Sequence, residues 1–219
     1  ISTPSLYFDF QTRLNVPETH RAQRFTNHYA HTKWLTEVAI QDAVQRYPNT
    51  RFVLLRPRAI FGEHDRVLVP RLLQLWQQGK GAFKLPRCGE VLMDLTYAPN
   101  VVHAMGLASE NTHIASGSVF NITNQEPWQF QQVLAALFAE LQQDYRIKAV
   151  PYAVVKRIAA VLETWANVTG DEPMLTRYSA GTLAFDLTLD NHKAQEILGY
   201  RPQTDMATAI ANTARSLKV

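Results

Sequence analysis

Cysteine is almost missing from this chain, its net charge is small, and no long apolar run occurs. One cysteine, Cys88, in 219 residues excludes an internal disulfide, predicts a reducing compartment, and leaves any zinc site dependent on His or carboxylate ligands. Lys plus Arg minus Asp plus Glu is 22 − 19 = +3, an excess too thin and too dispersed to mark a nucleic-acid surface. No stretch reaches the roughly 18 apolar residues of a membrane span, and Ile1-Ser2-Thr3-Pro4 is not a charged segment leading into an apolar one. A cytoplasmic location without export is therefore expected. Repeats and low-complexity tracts are also absent.

What is present is a globular composition, 46% hydrophobic and 19% charged, with helix and strand patterns in alternation. From His28 to Tyr47 apolar residues dominate, with Glu37, Gln41 and Gln45 at four-residue steps. This predicts a helix buried on most of its circumference, with those three as its polar stripe. Phe52-Val53-Leu54-Leu55 follows as a strand covered on both faces, so the sheet is parallel. Further helices are predicted over 68–78, from Pro99 through Leu107, from Pro127, from about Tyr152, after Asp190, and toward Leu217. Strand patterns stand near Phe83, over 91–97 and over 118–123. Val155, Ile158, Ala159, Leu162 and Trp165 are expected on one face of the Tyr152 helix. That stripe would suit a membrane surface or the roof of a lipid pocket, but ordinary packing is the reading adopted.

Tyr29-Ala30-His31-Thr32-Lys33 sets a phenol and an ammonium four residues apart, on one helix face. A phenol exchanges protons near neutral pH only when a neighbouring cation stabilises its ionised form. A cation about 4 Å away supplies about 4 kcal/mol at an effective dielectric of 20. Lys33 lies off the polar stripe, so its ammonium needs a defined partner. Ser2-Thr3-Pro4-Ser5-Leu6-Tyr7 offers three hydroxyls at a strand end to hold a substrate oxygen. His28 and His31 are one turn apart, but no acidic or Cys ligand falls at suitable spacing and no metal is expected.

These segments resemble the extended short-chain dehydrogenase/reductases, which include nucleotide-sugar epimerases and dehydratases and the 3β-hydroxysteroid dehydrogenases. Ser2 to Tyr7 is similar to that family's Ser-Ser/Thr-x-x-Val-Tyr, Tyr29 to Lys33 to its Tyr-x-x-x-Lys, Leu55 to Gly62 to its Leu-Arg-Pro-x-x-Ile-Tyr-Gly, and Val119-Phe120-Asn121-Ile122 to its late strand. Thr-Pro-Ser followed by an aromatic and Asp, the segment 56–65, and Leu175-Thr176-Arg177-Tyr178 are most similar to the sterol and 3β-hydroxysteroid branch, which also holds reductases of long-chain 2-alkyl-3-keto acids. The family's Val-Asp-Asp stands here as Tyr97-Ala98-Pro99-Asn100.

The resemblance implies an NAD- or NADP-dependent oxidoreductase acting on a CH–OH/C=O centre of a small lipid-like molecule, sterol-like or a 3-keto acid. The alternatives are an epimerase or dehydratase of the same fold, or an inactive fragment. Tyr29 would be the general acid/base, Lys33 would assist it and bind the nicotinamide ribose, and Thr3 would be the family hydroxyl, with Ser2 and Ser5 next. Ser2 and the segment Pro57-Arg58-Ala59-Ile60 would border the cofactor. The helix at Tyr29 would also make a homodimer contact. No Gly-rich pyrophosphate turn occurs: Gly79-Lys80-Gly81 comes nearest, but Lys84 stands where a third Gly should. The expected fold is therefore α/β, the C-terminal part of a Rossmann-type doubly wound parallel sheet (1–62 and 96–123) with a smaller, mostly helical substrate domain (63–95 and 124–219). A half-sheet on the order of 100 residues would precede it.

Overall fold

The computed structural model describes residues 1–170, 173 and 175–217. Its elements, in chain order, are β1 (Arg13–Val16), α1 (His28–Arg46), β2 (Val53–Pro57), β3 (Ile60–Phe61), α2 (Leu68–Gln78), β4 (Ala82–Leu85), β5 (Leu92–Met93), β6 (Thr96–Tyr97), α3 (Ala98–Glu110), β7 (Ser118–Ile122), β8 (Trp128–Gln129), α4 (Phe130–Leu141), β9 (Arg146–Ala149), α5 (Tyr152–Thr169), α6 (Arg177–Thr182), β10 (Leu187–Leu189) and α7 (Met206–Ser216). A 3-10 turn, Pro4–Tyr7, precedes them and a π-helical turn, Ala194–Leu198, precedes α7.

β2 and β7 pair in parallel with Val53 opposite Ser118 and Pro57 opposite Ile122. On the other edge of β2 the Ser2 amide donates to Leu55 O at 2.7 Å. The two-residue period of a strand sends Leu55, Phe120 and Ile122 into an apolar cluster with Ala104 of α3 and Tyr200, and turns Arg56 and its partner Asn121 to the opposite face. A second sheet runs β1-β10-β5-β8, its last pair antiparallel. The largest core joins α2, α4 and α7 around Phe83, Val91, Leu134, Phe138 and Ile210.

Local chemistry sets several of the ends. Thr3 caps the opening turn and accepts from Ser5 N at 3.2 Å. Asn27 caps α1 by accepting from Ala30 N at 2.8 Å, and the Asp65 carboxylate takes three amides at the start of α2. Gly170 closes α5 at φ 79, a left-handed position that glycine adopts without strain.

Two expectations need correction. α1 is not buried around most of its circumference: only Ala30 and Glu37 are buried, and Leu35 and Val38 face outward. Glu37, placed by the sequence in a polar surface stripe, is only 4% exposed. The stripe faces inward there because Arg56 stands beneath it. In α5, Val155 and Ala159 are buried, but Ile158 and Trp165 are exposed with Val161 and Val168. The apolar residues there divide between an inner and an outer face. No helix among the described residues is long and apolar enough to cross a membrane.

Phe138 is 1% exposed and its ring lies 5.5 Å from Trp76, 5.6 Å from Phe83 and 5.1 Å from Tyr145. Phe138→Ala is expected to cost about 3–5 kcal/mol of stability, read by chemical denaturation of the full-length protein.

Candidate active site

The segment expected to be a strand end is instead an extended lead, Ser2-Thr3, into the 3-10 turn Pro4–Tyr7; it keeps one strand-like bond, from the Ser2 amide to Leu55 O at 2.7 Å, because the Thr3 cap and Pro4 start the turn. Lys33 Nζ donates to Ile1 O at 3.1 Å, which supplies the partner its position called for. One turn further along α1, Glu37 accepts a hydrogen bond from the Ser2 hydroxyl. Thr3 is 6% exposed, and its Oγ1 lies 3.1 Å from Ser5 Oγ. Ser5 Oγ continues the chain of hydroxyls to Tyr178 OH at 2.7 Å. Tyr178 stands at the start of α6, oriented by the Thr176 cap on Ser179 N at 3.0 Å and by an edge-on contact with Phe8 at 5.4 Å. Sequence reasoning did not assign Tyr178 a role. The Leu-Thr-Arg-Tyr resemblance was the signal that could have found it.

Tyr29 lies on the outer surface of α1 and is 52% exposed. Pro57 ends β2 opposite Ile122. Beyond it the Arg58 amide reaches Ile122 O at 3.2 Å and Thr96 Oγ1 at 3.1 Å. Ala59 takes φ 45, and Ile60 in β3 is 43% exposed. The Tyr29 ring is thus open to a ligand, and one N–H of Lys33 is used on Ile1 O, leaving two of an ammonium's three. These features fit the nicotinamide ribose side of a dinucleotide. A pyrophosphate cradle is absent from the 219 residues.

A cleft of about 680 Å³ opens between the loop at 20–26, the segment after Phe8 and helices α5 and α6; Ser2, Thr3, Tyr29, Lys33 and 57–60 are not among the residues that line it. A neighbouring cavity of about 780 Å³ shares Arg24, Thr26 and Arg177 with it and reaches Asn27, His28 and His31 at the start of α1. Arg13, Arg21, Arg24, Lys156 and Arg177 line the first cleft, against the carboxylates Asp9 and Glu163. Arg13 is paired with Asp9 at 2.5 Å, Arg177 with Glu163 at 2.6 Å, and Arg21 lies 4.1 Å over the Trp34 ring. Arg24 and Lys156 have no ion pair among the described residues, so the cleft carries surplus positive charge. The side-chain atoms His20 Nε2 and Thr26 Oγ1 are buried without a hydrogen-bond partner among those residues.

Residues 8–151 match the profile of the 3-beta hydroxysteroid dehydrogenase/isomerase family. The chain belongs to that family. An Escherichia coli relative, uncharacterized protein YbjS, is 41% identical over 220 residues, all of this chain and 65% of its own length. Mouse sterol-4-alpha-carboxylate 3-dehydrogenase (decarboxylating) is 32% identical, covering 89% of this chain and 56% of the enzyme. The 2-alkyl-3-oxoalkanoate reductase of Shewanella oneidensis is 33% identical, covering 91% and 54%. The chain therefore spans between half and two thirds of these relatives. In fold it resembles the UDP-glucuronic acid 4-epimerase of Bacillus cereus solved with NAD, TM-score 0.71 at 16% identity, covering 99% of this chain and 58% of that one. RMD of Pseudomonas aeruginosa, solved with NADPH, gives 0.68 at 13%, covering 100% and 65%. The chain thus shares the Rossmann-type fold of these structures.

Below the Arg58 segment lies a second titratable group. Asp94 is 2% exposed and accepts from Leu189 N at 2.7 Å. Burial pushes its carboxyl up to about 6 from 3.8, against that hydrogen bond and the Arg58 charge, which pull it down. The folded state holds this proton to higher pH than the unfolded state, so the group's contribution to stability falls as pH rises from 3.8 to about 6. Asp94→Asn is expected to remove that fall: thermal melts should show its advantage over wild type growing across this window and levelling above it.

Proposed function

We propose that the full-length protein is an NAD- or NADP-dependent oxidoreductase acting on a CH–OH/C=O centre of a lipid-like molecule that bears a carboxylate, a sterol acid or a 3-keto acid. The observation that carries this reading is the tie between the Ser2-Thr3 segment and the helix bearing Tyr29 and Lys33, through Lys33 Nζ to Ile1 O at 3.1 Å. The substrate class is supported by the surplus positive charge of the cleft where Arg24 and Lys156 lie, and by two relatives whose names specify a sterol carboxylate and a 2-alkyl-3-oxoalkanoate. In this reading residues 1–62 and 96–123 are the cofactor-binding part and 63–95 and 124–219 the substrate-binding part, and the loop at 20–26 of the first lines the substrate cleft together with Lys156 and Arg177 of the second.

Bound NAD or NADP supplies the hydride acceptor in oxidation and the donor in reduction. In oxidation Tyr29 takes the hydroxyl proton as the carbon–oxygen double bond forms; in reduction it returns that proton to the oxygen. Thr3 Oγ1 turns to the same oxygen the proton that it gives to Ser5 Oγ before substrate binds, while the Ser5 amide continues to donate to it. Lys33 stabilises the phenolate and holds the ribose, with its third donor committed to Ile1 O. Ser2, Pro57, Arg58, Ala59 and Ile60 border the nicotinamide.

The outward face of α1, with Leu35 and Val38 exposed, is the homodimer contact in this proposal. Sedimentation should give a dimer for the full-length protein and a monomer for Leu35→Glu.

Turnover of a 2-alkyl-3-oxoalkanoate with NADH or NADPH tests the chemistry. Tyr29→Phe keeps the ring but removes the proton path, so the rate should fall at least about a hundredfold with little change in melting temperature. Retention of more than about a hundredth of wild-type turnover would count against Tyr29 as the acid/base.

A further inference from the structure

Beneath Ser2 and Thr3, α1, β2, β7 and the Pro4–Tyr7 turn meet in one buried polar cluster, and apart from Ser2 the proposed chemistry uses none of its side chains. Arg56 is 5% and Glu37 4% exposed. Arg56 Nε reaches Glu37 Oε1 at 2.8 Å and Nη2 reaches Oε2 at 2.5 Å, a fork-to-fork pair. Its Nη1 donates to Tyr7 OH at 2.5 Å and to Glu18 O at 2.9 Å. Tyr7 OH donates in turn to Asn121 Oδ1 at 2.7 Å, and the Ser2 hydroxyl donates to Glu37. Burial works against the charge on Arg56, but Glu37 and Tyr7 outweigh it and raise its pKa above the usual guanidinium value. Burial also pushes the Tyr7 phenol up to about 12, so it stays neutral and serves as donor and acceptor together.

The cluster reaches both halves of the candidate site. Ser2 adjoins Thr3, and Tyr7 ends the turn that Thr3 caps. Glu37 is one turn from Lys33 and two from Tyr29 on α1. A buried ion pair is weak evidence for stability, since apolar residues of similar volume often replace one without loss. What such residues cannot supply is a fixed bidentate geometry with side bonds to two hydroxyls.

We infer that the Glu37–Arg56 pair is a positioning device that holds the Ser2-Thr3 segment and the Tyr29–Lys33 helix in register for proton transfer. This rests on the proposed roles of Thr3, Tyr29 and Lys33. Effective acid–base catalysis needs heavy atoms within about 2.6–3.2 Å, and a misplacement of about 1 Å can cost about a hundredfold.

The test uses the full-length protein with a 2-alkyl-3-oxoalkanoate and NADPH as probe. Glu37→Gln alone strands a buried guanidinium and is expected to lower the melting temperature as well as the rate. The deciding variant is the double replacement Glu37→Leu with Arg56→Met, which removes both charges at similar volume. The expected result is a melting temperature restored toward wild type, kcat still reduced at least about tenfold with KM changed less than about threefold, and faster amide hydrogen exchange over 2–5. Wild-type kcat in the double variant, or unchanged exchange over 2–5, would overturn the positioning role. Tyr29→Phe measured in parallel tests the underlying reading separately: full turnover there overturns the acid/base assignment, whatever the double variant does.

Discussion

Between α1 and β2 two opposite charges, Glu37 and Arg56, are withdrawn from water in a bidentate pair, and the arrangement around the site depends on how that pair is satisfied. Bringing a guanidinium and a carboxylate out of solvent is tolerated only when their hydrogen-bonding capacity is taken up. Arg56 meets that requirement with four of an arginine's five N–H donors. The partners come from α1, the Pro4–Tyr7 turn and the loop at Glu18. Their relative placement is fixed by directional bonds, where apolar packing alone would tolerate sliding.

The rest of the arrangement follows from that junction. Because strands alternate faces, placing Arg56 under α1 also places Asn121 there, opposite it in register. Asn121 then receives Tyr7 OH and spends its amide on Val16 O and Asp190 O, joining the parallel pair to β1 and the chain beyond β10. The opposite face of β2 and β7 stays apolar against α3 and Tyr200. α6 then meets the hydroxyl line through Tyr178, and the neighbouring Arg177 lines the cationic cleft.

Much of this was legible in order along the chain. The helix over 68–78 has the bounds its apolar spacing and Gly79 indicated. The strands near Phe83 and, as Ser118–Ile122, within 118–123 also formed, their apolar residues Phe83, Leu85, Phe120 and Ile122 being buried. β1, β9 and β10 were not legible: they are three- or four-residue strands whose pairing partners lie far off in sequence, as β1 with β10 does. Short strands of that kind carry no period of their own. The four-residue spacing of Glu37, Gln41 and Gln45 misled for a physical reason. Periodicity identifies a polar stripe, and Gln41 and Gln45 are indeed exposed, but a single member of it, Glu37, is buried because the Arg56 guanidinium stands beneath it.

The sequence by itself determined the alternation of helix and parallel strand, the placement of Tyr29 and Lys33 one turn apart on one helix, and the hydroxyl-rich segment Ser2 to Ser5. These depend on residues adjacent in the chain, and local stereochemistry decides them. Only the tertiary structure decided that Glu37 is buried on Arg56, that Tyr178 completes the line from Thr3 through Ser5, and that five cations gather against two carboxylates in one cleft. Each of those brings together residues from distant parts of the chain, and nothing in local spacing encodes which of many charged or hydroxyl-bearing side chains will meet once the core has closed.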